Sequence, residues 1–350
     1  MFNRTQISIP TLVRVKNGAI DRVGIYMRRH AFMEVVLLFS DDLHESLLGR
    51  LEEGFRREGI SILQRLPVKN ASFEQAREIF PALPARTKAV IGFGGGKALD
   101  VAKYVSFLTR QPYIAVPTSL SNDGFCSPQS SLTLEGRRKS LPSTMPFGVV
   151  IDTGVCLEAP EILWLSGIGD LVSKITAVHD WKQAFEAKGT LVDDFAALLS
   201  DATVFQFIAR PERTLEGVRL LGTALMLNGV AMEVCGSSRP ASGSEHLISH
   251  ALDSINDKPK LHGLQVGAAT YLVSQLQKQN TDLIARLFDI TGFWRAIEAQ
   301  PFSRSRWIQA LQMAPTIKQD FYTVLSSRDC VPEAEKILNT DPRLAKCFEA

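Results

Sequence analysis

The chain has 350 residues, 45% hydrophobic and 22% charged, with a formal net charge of only +2, which excludes a disordered tail and gives no reason to expect a nucleic-acid partner. Its five cysteines, Cys126, Cys156, Cys235, Cys330 and Cys347, are scattered and form no C-x-x-C pair, so neither a disulfide framework nor a thiolate metal cage is expected and a reducing cytoplasm is. The opening stretch MFNRTQISIPTLVRV lacks an apolar signal core, and runs such as Val35–Phe39 are too short to cross a bilayer, so neither secretion nor membrane insertion is expected.

Along the first 155 or so residues, β-branched runs alternate with helical periodicity, the pattern of a parallel sheet covered by helices. Glu34–Ser40 reads as a buried strand, and Leu47, Leu48, Leu51 and Phe55 mark one face of a helix ending near Gly59. Ile60–Leu66 reads as the next strand, and Ser72 with Gln75 as a capping box for a helix around Ala76–Phe80. Ala89–Phe93 and Tyr113–Val116 are two further strands, separated by a helix over Ala98–Leu108. From about Glu161 the strands give way to long helical patterns, at Phe195–Ala209, Thr214–Val234 and Leu264–Gln277. The expected organisation is an α/β domain over residues 1–158 and an α-helical domain over 159–350.

Two strand ends carry candidate nucleotide chemistry. Ala89–Asp100 (AVIGFGGGKALD) reads as strand, glycine turn and helix start, a geometry that offers backbone N–H groups and a positive helix end to a phosphate. The spacing is not G-x-G-x-x-G, and a plain tight connection would use the same residues. The next strand ends in Pro117–Gly124 (PTSLSNDG), a short polar loop able to form a second wall. Asp41, in Phe39–Asp42 at the end of the strand Glu34–Ser40, is placed to bond adenosine ribose hydroxyls and repel a 2′-phosphate, which favours NAD over NADP. It could equally cap the next helix, and Asp42 is a candidate for either task.

The second half carries candidate metal chemistry. Ser242–Glu245 (SGSE) reads as a capping box, so His246 and His250 fall at i and i+4 on one helix face. His262 lies beyond the polar turn Asp257–Lys260, at the start of another helix, and these three are among only six histidines in the chain. A lone histidine is more often structural, but the clustering points to a metal. A catalytic divalent ion also wants an oxygen ligand, and Asp170 in SGIGDLVSK, read as following a glycine turn at a helix start, is the candidate. Zinc, nickel and iron all suit such a site.

Taken in order, GFGGGKALD, PTSLSNDGFCSP, GIGDLVSK, SGSEHLISHALD and LHGLQVG resemble the sn-glycerol-1-phosphate dehydrogenases, over about residues 10 to 275. That family lies within the wider group of iron-containing alcohol dehydrogenases, glycerol dehydrogenases and dehydroquinate synthases. The resemblance implies a dehydroquinate synthase-like fold, with a doubly wound nucleotide-binding domain followed by an all-α metal- and substrate-binding domain. It implies NAD(P)-linked interconversion of dihydroxyacetone phosphate and sn-glycerol 1-phosphate, with one divalent metal, usually zinc. Gly94, Gly95, Gly96, Lys97 and Asp100 would surround the cofactor's pyrophosphate and ribose, and Thr118, Ser119, Ser121 and Ser127 would complete its cleft. Asp170, His246 and His262 would be the metal ligands, while Asp123 and His250 would contact substrate, with His250 shuttling the proton. A small-molecule substrate and a homo-oligomer are expected. Lys97 stands where many relatives carry Arg.

Two other chemistries are open to the same superfamily: a polyol dehydrogenase acting on an unphosphorylated substrate, and a dehydroquinate-synthase-like lyase or cyclase. Asp170 disfavours the latter, whose members typically present Glu there. A basic run, Arg137, Arg138 and Lys139, between the strand-like stretches Ser131–Leu134 and Phe147–Ile151, reads either as a hairpin receiving a substrate phosphate or as a solvated turn.

Overall fold

Strands buried on both faces must be apolar nearly throughout, and the central runs of the first half meet that condition. The computed structural model describes residues 7–349; the first six residues of the opening stretch, and Ala350, lie outside the described residues. Two compact units are resolved, Met1–Ala159 with Arg213–Glu233, and Pro160–Glu212 with Val234–Ala350.

In the first unit the chain runs β1 (Leu12–Lys16), α1 (Val23–Arg29), β2 (Glu34–Ser40), α2 (Glu45–Arg57), β3 (Ser61–Val68), α3 (Phe73–Ile79), β4 (Ala89–Gly94), α4 (Gly96–Thr109) and β5 (Tyr113–Pro117). It continues through the antiparallel hairpin β6 (Gln129–Leu134) and β7 (Arg137–Pro142), then β8 (Gly148–Asp152) and α5 (Thr153–Glu158). Among the described residues, six strands form one parallel sheet in the order β1-β8-β5-β4-β2-β3. Strand order reverses between β2 and β4, so the carboxyl ends of these neighbours flank a topological switch point, where open α/β sheets bind ligands. Val35–Leu38 and Ala89–Ile91 are fully buried there.

Several local expectations are corrected. Strand β1 is absent from the sequence reading; it is short and only Leu12 is buried, because it forms the sheet edge against β8. The side chain of Ser72 caps α3 by accepting from Gln75 N, but that of Gln75 reaches Asn70 N and Pro67 O, so the capping box is one-sided. Arg137, Arg138 and Lys139 are in exposed strand β7, and the turn is only Glu135–Gly136, both at positive φ as a two-residue hairpin requires.

The second unit is built from helices α6 (Glu161–Lys188), α7 (Asp194–Ile208), α9 (Ser244–Ile255), α10 (His262–Gln277) and shorter ones to Thr340. Helix α8 (Leu215–Cys235) lies almost wholly in the first unit's segment Arg213–Glu233. Its length and mean hydropathy of 1.4 would suffice to span a bilayer, a feature the sequence reading passed over, but 67% of that window is buried inside the protein. Gly167 and Gly169 do not form a turn before a helix; both lie inside the 28-residue α6. A side chain at Gly169 would overlap the carbonyl of Gly263, and one at Gly263 the carbonyl of Ser166, so these glycines let α6 and α10 touch backbone to backbone. That contact sets the spacing of the two helices that carry Asp170 and His262.

Candidate functional site

Asp170 projects from the middle of α6, His246 from the first turn of α9 and His262 from the first residue of α10. One donor atom from each falls within 4.8 Å of the other two. His246 Nε2 is 3.5 Å and His262 Nε2 4.0 Å from Asp170 Oδ1. Both imidazoles are held through their other nitrogen: His246 Nδ1 lies 2.9 Å from Glu245 Oε1, and His262 Nδ1 3.2 Å from Ser249 Oγ. With Nδ1–H donating in each, both Nε2 lone pairs converge beside the carboxylate. One carboxylate oxygen and two imidazole nitrogens form an open three-ligand set, so the donor chemistry fits a divalent metal.

The surroundings support that set. Asp170 is fully buried, and Lys174, one turn further along α6, places Nζ 3.2 Å from its Oδ1. Burial pushes the Asp170 carboxyl up, but the Lys174 ammonium and the two imidazoles outweigh it and hold the group well below the usual carboxylate range. Glu245 is likewise ionised despite burial, held by His246 Nδ1 and Gly243 N, while its Oε2 accepts from Thr176 Oγ1 at 2.9 Å. Burial works to lower the His246 pKa, but its bonds to Asp170 and Glu245 raise it on balance.

The expected capping box at Ser242–Glu245 is not formed. The N-cap is Gly243 without a side-chain bond, and Asp180 Oδ2 instead accepts from Ser244 N at 2.7 Å, a cap delivered from another helix. Glu245 Oε1 accepts from the N-cap amide of Gly243 at 2.6 Å and shares that oxygen with His246 Nδ1. His250 follows one turn after His246, with its ring centroid 6.3 Å from that of His246 and 6.0 Å from that of His262.

In the first unit, Gly94 ends β4 at φ +134, and any side chain there would overlap Ser40. Gly95 is the N-cap of α4, and its amide donates to Ser40 Oγ at 3.0 Å. The first helical bond is Leu99 N to Gly95 O, so the amides of Gly96, Lys97 and Ala98 open the helix, and among the described residues, chain neighbours and the helix's own backbone aside, no atom lies within 4 Å of where a Cβ of Gly95 or Gly96 would stand. Lys97 is exposed. Thr118 N donates to Gly94 O at 3.0 Å, which joins the polar loop after β5 to this turn. Ser119, Ser121 and Asp123 are half-buried on that loop.

Asp100 and Ser127 face inward. Both meet the fully buried Lys103, whose Nζ lies 3.5 Å from Asp100 Oδ1 and 3.2 Å from Ser127 Oγ. Asp41 and Asp42 are exposed beyond β2, and neither caps α2, whose N-cap is His44, accepting from Ser46 N. Sequence reasoning missed Ser40, Lys103, Lys174, Asp180 and the orienting role of Glu245. Only Lys174, at i+4 from Asp170, and Glu245, beside His246, left a signal in spacing.

The family model described as iron-containing alcohol dehydrogenase matches residues 14–160. A glycerol-1-phosphate dehydrogenase of Aeropyrum pernix, whose name specifies NAD(P)+, is 33% identical over 342 residues, covering 95% of this chain and 96% of the relative. This chain belongs to the glycerol-1-phosphate dehydrogenase family. Other members of that family, from Methanosarcina barkeri and Pyrococcus horikoshii, are 33% and 36% identical, covering 95% and 77% of this chain and 94% and 79% of their own lengths. Among solved structures, glycerol dehydrogenase from Schizosaccharomyces pombe shares the fold, with a TM-score of 0.75 at 18% identity, covering 98% of this chain and 91% of that one. The expected parallel-sheet domain followed by helices is therefore the fold of a glycerol-1-phosphate dehydrogenase family member.

Proposed function

We propose that this protein interconverts dihydroxyacetone phosphate and sn-glycerol 1-phosphate by NAD(P)-linked hydride transfer at a single divalent metal centre. The observation that carries the reading is the convergence of Asp170, His246 and His262 within 4.8 Å, in a chain 33% identical over nearly its whole length to an archaeal glycerol-1-phosphate dehydrogenase. When bound, the metal, zinc in the first instance, supplies Lewis-acid polarisation of the substrate oxygen and the nicotinamide supplies the hydride.

The protein's own residues do the rest. Glu245 and Ser249 fix the tautomer in which both Nε2 atoms are ligands. Lys174 keeps Asp170 ionised in a buried setting. His250, one turn from a ligand, holds the proton that the substrate hydroxyl gains or loses at its imidazole nitrogen, and Asp123 contacts the substrate hydroxyls. In the α/β unit, the glycine turn Gly94–Gly96 with the open amides of Gly96, Lys97 and Ala98 receives the cofactor pyrophosphate, Thr118, Ser119 and Ser121 line the adjoining loop, and Asp41 selects NAD over NADP. Asp100 and Ser127 support this turn through Lys103.

The cytoplasmic setting and the homo-oligomer belong to the same reading. They are supported by five unbridged cysteines and by the exposed apolar side chains of Phe185, Leu191, Phe195, Leu198 and Phe205. Steady-state NADH oxidation by the zinc-loaded protein tests the function. Efficient turnover of dihydroxyacetone phosphate is expected, and equal efficiency with dihydroxyacetone would overturn the phosphate specificity. Light scattering of the purified chain tests the assembly, and a monomer would overturn it.

A further inference from the structure

Helix α7 is apolar on two sides, and only one of them is covered. Its inner side, with Ala196, Ala197, Ser200, Thr203, Val204 and Phe207, is buried. Phe207 meets Trp164 edge to face with ring centroids 5.7 Å apart, and Ser200 Oγ donates to Pro240 O at 2.7 Å. On the other side Phe195, Leu198 and Phe205 are 63%, 66% and 51% exposed, and Ala202 and Ala209 are exposed with them. Trp181 Nε1 donates to Leu191 O at 3.0 Å, which pins the connection from α6 to α7.

The exposed residues follow one another at steps of three, four, three and four. That is the period of about 3.5 residues at which one helix seats against another, a narrower seam than the stripe by which a helix packs on a globular core. A contiguous exposed stripe of this kind marks an interaction surface. The ends of the helix say which partner fits it. Asp193 and Asp194 stand at its N-terminus and Arg210 just past its C-terminus. Asp194 and Arg210 are exposed, and neither pairs with an opposite charge among the described residues. A second α7 laid antiparallel brings Asp194 of each protomer beside Arg210 of its partner and opposes the two helix dipoles, whereas a parallel copy sets like charges side by side. Asp201, beside the stripe, faces Lys182 of its own α6, so it brings no uncompensated charge to the middle. A bilayer is a poorer match, because membrane-surface helices carry Lys and Arg along their polar side and the flanks here carry Asp193, Asp194 and Asp201.

We propose that α7 is the face through which two copies of this chain pair, antiparallel about a two-fold axis level with Ser200. Phe195 of one protomer then lies opposite Phe205 of its partner, and Leu198 opposite Ala202, each contact being made twice as an isologous interface requires. The inference rests on the homo-oligomer reading above and names the contact that forms it.

Analytical ultracentrifugation of the wild type and of Leu198→Glu tests the face, with far-UV circular dichroism to show that the variant is folded. Leu198→Glu should halve the assembly at concentrations where the wild type is intact, a rise of about a hundredfold or more in the dissociation constant, because a carboxylate would have to enter an apolar seam. Disulfide capture reads the orientation. Phe195→Cys mixed with Phe205→Cys should give a crosslinked heterodimer and neither variant alone should crosslink, since the two positions lie about 15 Å apart along one helix. A monomeric wild type overturns both this contact and the homo-oligomer, and its binding to anionic vesicles would assign the stripe to a membrane. An oligomer that Leu198→Glu leaves intact overturns the contact alone, and crosslinking of either cysteine variant by itself overturns the antiparallel order.

Discussion

Glu245 and His246 are neighbours in the chain, yet the carboxylate of one holds the ring of the other, Oε1 to Nδ1 at 2.9 Å, inside the first turn of α9. Asp180 caps the Ser244 amide from outside the helix, while Glu245 Oε1 accepts from the N-cap amide of Gly243 and from the imidazole together. Replacing Glu245 by Gln keeps an acceptor for Nδ1–H and removes the charge. Metal affinity is expected to fall about tenfold to a hundredfold, the usual effect of losing a carboxylate partner of a ligating imidazole. Chelator competition with zinc measures it; undiminished affinity would mean that the bond only anchors the helix.

His246→Ala and His262→Ala should each lose the metal after dialysis and with it all turnover, since a three-ligand site without one imidazole binds far more weakly. His250→Ala should retain stoichiometric metal and lose mainly kcat. Metal analysis of the three purified variants is the check, and a metal-free His250→Ala would show that the roles are exchanged.

Among the described residues, chain neighbours aside, no atom lies within 4 Å of a would-be Cβ at Gly95, and its φ of −83 suits any residue. Gly95→Ala should therefore cost less than about 1 kcal/mol of stability, the scale of an N-cap change. If the cofactor pyrophosphate approaches the turn as proposed, the added methyl group should nevertheless weaken NADH binding at least about tenfold, or roughly 1.4 kcal/mol. NADH fluorescence titration beside a Tm measurement separates the two effects, and unchanged NADH affinity would remove the phosphate from this turn.

Asp41 is exposed at the carboxyl end of β2, beside the switch point, and takes no part in capping α2. Asp41→Gly should shift preference from NADH toward NADPH, because the carboxylate that repels a 2′-phosphate is gone. The ratio of kcat/KM for the two cofactors reads this directly. A ratio that does not move assigns the discrimination to another residue.

The sequence alone determined the alternation of strand and helix in the first half, the glycine turn after β4, and two of the helices that carry the candidate metal ligands. These are legible because strand burial, helix periodicity and glycine conformation are local properties of a few consecutive residues. His246 and His250 share a helix face at i and i+4 for the same reason. The sequence left strand order open, because which strands pair depends on crossovers between distant segments. It placed Asp170 after a turn, since Gly167 and Gly169 look locally like breakers. Only the packing of α6 on α10 explains them, as backbone contact with Gly263 leaves no space for a side chain. Tertiary structure likewise decided that Asp180 caps α9, that Lys174 offsets the burial of Asp170, and that Arg239 and Lys318, 79 positions apart, meet at Phe321. Charges separated along the chain interact only after folding has brought them within a few ångströms and excluded the water between them.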